Sequence, residues 1–89
     1  MKSEIRLKFL NEVIEKGLHL MKNDAVTHRE WQSWLDYSLR TLQIITAGRE
    51  VIQFHYFGVI FNAETVEGLK YKEMLSMCLR YLIEIKGII

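Results

Sequence analysis

The stretch Val26-Thr27-His28-Arg29-Glu30-Trp31 limits what this chain can fold into more than any other. Thr27 with Glu30 three residues later has the form of a capping box. The threonine oxygen would accept from the Glu30 N–H, and the Glu30 carboxylate from the Thr27 N–H, satisfying two donors that a helix start leaves open. Val26 before the cap and Trp31 at the fourth helical position add a hydrophobic staple. Trp31, Trp34, Leu35, Ser38, Leu42 and Ile45 then recur at helical spacing and define one mostly apolar face. Gly48 is a natural stop, because glycine enters the left-handed C-terminal conformation without a steric penalty.

The same period runs through the rest of the chain. From about Ser3 to Lys22, the residues Leu7, Leu10, Ile14, Leu18 and Met21 fall on one stripe with Val13 and Gly17 beside them. Ser3 is a candidate cap, and Glu12 with Lys16 forms an i, i+4 ion pair in the favourable order. A last segment, from about Thr65 to Lys86, carries Val66, Leu69, Met74, Leu75, Cys78, Leu79, Leu82 and Ile85. Asn62 or Thr65 would cap it, Gly68 lies inside its first turns, and Gly87 closes it before the apolar tail Ile88-Ile89. Between them, Arg49 to Phe61 is rich in β-branched and aromatic residues, which favour strands. A single short strand would have no partner and would leave its backbone groups unpaired, so the segment is expected to be a buried helix. The chain has no proline, which favours long helices over a turn-rich β domain. Residues 1–89 are expected to form one all-α domain, a small up-down-up-down four-helix bundle with the third helix shorter than the rest.

Composition narrows the function classes. A formal net charge of +1 argues against a nucleic-acid mimic and gives no strong pull toward a phosphate backbone. The single cysteine, Cys78, forbids an intrachain disulfide and suits a reducing compartment. No signal-peptide pattern is present, and the apolar run Val51–Phe61 is too short to span a bilayer. A cytoplasmic protein with no membrane partner is expected. There is no Cys-x-x-Cys, His-x-x-x-His or Glu-x-x-His, and no glycine-rich phosphate loop, so neither a metal site nor a cofactor is expected. Cys78 reads as a small core hydrophobe.

Aromatic residues gather in two places: Trp31, Trp34 and Tyr37 in the second segment, and Phe54, Tyr56, Phe57 and Phe61 in the third. The charges around them are mixed, which fits core or protein–protein contact better than base stacking. Two tryptophans are a lot of ring for one face of so small a core. One of them is expected at the surface or at a subunit contact, because aromatics are enriched among interface anchors. With Tyr37, Ile88 and Ile89 they form the expected interface set.

Arg49 and His55 are separated by five residues, and the run continues His55-Tyr56-Phe57-Gly58-Val59. This resembles the HEPN superfamily, helical bundles of prokaryotic toxin–antitoxin and defence systems, where an Arg-x(4–6)-His motif marks a metal-independent ribonuclease. The resemblance implies Arg49 as the stabiliser of phosphate charge and His55 as the acid–base group, with a dimer bringing two pairs together. Such a reaction needs a proton-transfer group near neutrality and a cation for the developing phosphorane. Glu50 departs from the Asn, Asp or His common after the arginine, and a carboxylate there would weaken the hold on phosphate. A second stretch, Glu30-Trp31-Gln32-Ser33-Trp34-Leu35 followed by Leu39, Leu42 and Gly48, looks like small helical accessory domains attached to bacterial anti-phage proteins, which bind or position partners.

These readings favour a non-catalytic helical interaction module, a homo-oligomer with a dimer preferred, in the setting of phage–host conflict. The alternatives are the Arg49/His55 ribonuclease, the one reading that brings in RNA, and a small-molecule-binding bundle whose aromatic cluster lines a pocket.

Overall fold

The computed structural model describes residues 2–89. Four α-helices follow one another: α1 (Ser3–Met21), α2 (His28–Ile45), α3 (Glu50–Thr65) and α4 (Tyr71–Glu84), the last running into a 3-10 turn, Ile85–Ile88. Among the described residues there is no strand. Among the described residues no helix is long and apolar enough to cross a membrane.

The α2 start is built as its sequence implies. Glu30 N–H donates to Thr27 Oγ1 at 3.1 Å, and Thr27 N–H donates to Glu30 Oε1 at 3.0 Å. Both staple residues, Val26 and Trp31, are buried. The buried face of α2 is the expected set, Trp31, Trp34, Leu35, Ser38, Leu42 and Ile45. The other helices depart in detail. Lys2, not Ser3, is the N-cap of α1, and no side chain caps that end. The buried face of α1 is Leu10, Val13, Ile14 and Gly17, while Leu7 and Leu18 point to solvent. Lys16, expected to pair with Glu12, stands over the Tyr37 ring at 4.6 Å.

The boundary between α3 and α4 lies later than expected. Asn62 and Thr65 belong to the last turn of α3, where Thr65 Oγ1 donates to the Phe61 carbonyl at 2.7 Å. Gly68 adopts φ +86°, a conformation that breaks a helix and is open to glycine without strain. The α4 helix therefore begins at Tyr71, where Glu73 Oε1 accepts from the N-cap Lys70 N–H at 3.2 Å. As a result α3 has 16 residues and α4 has 14, so the third helix is not the shortest.

Side-chain contacts give the directions. Trp34 Nε1–H donates to the Val13 carbonyl at 3.0 Å, and Phe9 lines the same depression as Ile44, so α1 and α2 run antiparallel. Tyr81 O–H donates to the Ile52 carbonyl at 2.9 Å, and the Tyr56 and Tyr81 rings stack with centroids 5.6 Å apart, which sets α3 antiparallel to α4. His28 and Tyr71, at the starts of α2 and α4, share a 2.9 Å hydrogen bond. The topology is up-down-up-down, but the bundle is not a square. The α4 helix is its hub, packed against α1, α3 and, more lightly, α2. The α3 helix leans chiefly on α4 and stands at the edge.

Candidate interaction surface

Apolar side chains lie on opposite sides of α3. Ile52, Tyr56, Ile60 and Ala63 turn inward and are buried. Val51, Phe54, Phe57 and Phe61 turn outward and are 62%, 77%, 47% and 67% exposed. A helix that is apolar all round is ordinarily covered all round; here one side has no cover among the described residues. The expected buried helix is therefore buried on one face only, because α4 occupies a single side of it.

The outward residues form a seam. Val51, Phe54, Gly58, Phe61 and Thr65 follow a three–four alternation along α3, the spacing that keeps one line of a helix facing a partner helix. With an aromatic side chain presenting about 150–250 Å², the three phenylalanines leave roughly 400 Å² of ring in water. That is on the scale of the largest apolar patch of a typical monomer, about 300–600 Å², and such patches are often functional. The remaining exposed apolar residues lie on other helices, as Ile44 and Ile83 do, or at the α3 C-cap, Val66.

The expected site residues are distributed differently. Trp31 and Trp34 are both in the core, and neither reaches the surface. Their burial has a local cause: the Trp34 indole N–H finds the Val13 carbonyl, so the ring enters the interior with its polar atom satisfied. Tyr37 is half-buried beneath the Lys16 ammonium. Ile89 packs partly against the core, and Ile88 is exposed. Arg49, the N-cap of α3, donates through Nη1 to the Ile88 carbonyl. This bond ties the C-terminal turn to the α3 start.

His55 is exposed on α3, so it is not lodged among the aromatics. Nor does it open on a cleft shared with Arg49: no hydrogen bond joins the two, and neither lines any of the main surface depressions. The largest of these, about 700 Å³ and open to solvent, lies near the α4 start between Met21, Val26 and Tyr71, with Lys70 and Lys72 at its rim. The α3 aromatics take no part in it, so the aromatic cluster does not form the pocket that the small-molecule reading expects there.

Inside the protein, a polar group of side chains links α2, α3 and α4. Ser38 Oγ donates to the Leu35 carbonyl at 2.8 Å, which leaves the Tyr56 O–H to donate to Ser38 Oγ at 2.6 Å. The Cys78 thiol lies against Tyr56. Burial pushes it up to about 12, helped by the Glu64 carboxylate and opposed by the Tyr56 hydrogen bond. The thiolate is the nucleophilic form, so Cys78 is inert near neutrality and acts as packing. Comparison with protein families, curated proteins and solved structures finds no match for this chain.

Proposed function

We propose that this chain is a non-catalytic helical module for protein–protein contact that associates with itself as a dimer in the cytoplasm. One observation carries this reading: the contiguous apolar face of α3, with Phe54 and Phe61 mostly in water and nothing among the described residues to cover them. Leaving such a face exposed forfeits about 25 cal/mol for each Å² that a partner could bury. The test is sedimentation or light scattering from low to high micromolar concentration. A reversible monomer–dimer equilibrium is expected, and the melting temperature should rise with concentration because association stabilises the folded state. A strict monomer at high micromolar concentration overturns the reading.

Ribonuclease action by Arg49 and His55 has less support, because Arg49 donates to the chain's own Ile88 carbonyl. In metal-free buffer, a mixed RNA substrate is expected to survive equally well with the native protein and with His55→Ala. Cleavage lost on that substitution would reverse the ranking.

A further inference from the structure

Resting on the self-association reading, we infer that α3 packs antiparallel against α3 of a second copy, with Phe54 of each copy seated on Gly58 of the other. The first ground is the order of side chains along the seam. About a two-fold axis beside residue 56, antiparallel pairing sets Val51 opposite Phe61, Phe54 opposite Gly58, and the same pairs again in reverse. Each ring on the seam then meets a smaller residue, glycine or valine, the alternation by which facing helices interdigitate. Parallel pairing would set Phe54 on Phe54 and leave a gap where Gly58 faced Gly58. It would also align the two helix dipoles, which antiparallel packing opposes.

The second ground is Gly58 itself. Glycine inside a helix weakens it relative to alanine. Gly17 in α1 has a reason within the chain, since a Cβ there would lie 2.6 Å from Leu79 Cδ2 and 3.0 Å from the Trp34 ring. Gly58 has none, since a Cβ there would meet nothing within 4 Å. A second α3 supplies the missing neighbour, because only a bare backbone lets a phenylalanine ring approach so closely.

Area gives the third ground. The two seams together offer roughly 600 Å² of exposed phenylalanine ring, and Phe57 beside each seam adds about 200 Å² more. Flanking His55 and Asn62 bring the total near the lower end of stable interfaces, about 1,200 Å², which fits a dimer of micromolar affinity. A formal net charge of +1 sets no strong repulsion between copies. Two-fold self-complementarity is what singles out a second copy over an unrelated protein.

Sedimentation velocity on the full chain would compare the native protein with Phe54→Glu, Gly58→Gln and Ile44→Glu. Phe54→Glu and Gly58→Gln are each expected to raise the dimer dissociation constant at least tenfold, and Ile44→Glu, exposed on α2, to leave it unchanged. Gly58→Gln keeps the test decisive if Phe54→Glu folds poorly, because it adds helix propensity while filling the notch. A native dimer that tolerates both α3 substitutions overturns this inference and leaves the module reading standing; a native monomer overturns both. The orientation is read by double electron–electron resonance from a spin label at Glu64→Cys in a Cys78→Ala background. Antiparallel pairing separates the two labels by about 24 Å along the helices. A distance near 10 Å, the spacing of adjacent helices, overturns the antiparallel arrangement.

Discussion

Gly17 and Gly58 both interrupt helices, and their surroundings set opposite consequences for the same substitution. At Gly17 an added methyl group would press on Leu79 and on a Trp34 ring that its bond to Val13 holds in place. Overpacking of this kind costs about 1–3 kcal/mol, against a helix-propensity gain of roughly 0.5–1 kcal/mol. Gly17→Ala should therefore lower stability by up to about 2 kcal/mol. At Gly58 the methyl group meets nothing in the monomer, so Gly58→Ala should raise monomer stability by about 0.5–1 kcal/mol. Urea unfolding of both variants at low micromolar concentration, where the monomer dominates, checks the pair of signs. If both variants were stabilised, the close approach of α1 to α4 at Gly17 would be wrong.

The α2 helix was the most legible element because its start is chemically specified as well as periodic. Thr27→Ala removes the acceptor for the Glu30 N–H and should cost about 1 kcal/mol. Ser3→Ala should change stability by less than about 0.5 kcal/mol, because Lys2 rather than Ser3 occupies the cap position. Thermal melts of the two variants side by side give the measurement. The α1 pattern was readable to within a rotation of its face, since Leu7 and Leu18 fit the period as well as Val13 and Gly17 but lie at the margin of the packed face, 37% and 47% exposed. The α3–α4 boundary was misplaced because Val66 and Leu69 continue an apolar period across Gly68, and periodicity does not register a positive φ. In α3 the two stripes, Ile52-Tyr56-Ile60-Ala63 and Val51-Phe54-Gly58-Phe61, were both present in the sequence. Periodicity shows which faces are apolar, not which of them finds a neighbour, so only the fold could show which stripe is left in water. The two tryptophans carried the opposite error. Ring size suggested the surface, while the single carbonyl that satisfies Trp34 is visible only once α1 and α2 are side by side.

Ionic contacts contribute little to the molecule as a whole. Among the described residues the one side-chain ion pair between acidic and basic groups is Asp36–Arg40 at 3.0 Å, exposed and four residues apart on α2. Such a pair is worth about 0.3–0.5 kcal/mol. The buried titratable groups are of another kind: Tyr56, Cys78 and the partly buried Tyr81 are all raised above their ordinary values, chiefly by burial. Each is neutral when protonated, so the folded state holds the proton more tightly than the unfolded chain does. Their contribution is complete below the unfolded values and is lost as pH rises toward the folded ones. For Cys78 that window runs from 9.0 to about 12, and the tyrosines join it above 10.0. Within the window one such group removes about 1.4 kcal/mol per pH unit, a large share of the roughly 5–15 kcal/mol that holds a domain folded. Urea midpoints should therefore be nearly level from pH 7 to 8.5 and fall steeply between pH 9.5 and 11. Cys78→Ala should start from lower stability, because it leaves a cavity, yet decline less steeply with pH. An equally steep decline in that variant would overturn the assignment of the alkaline sensitivity to Cys78.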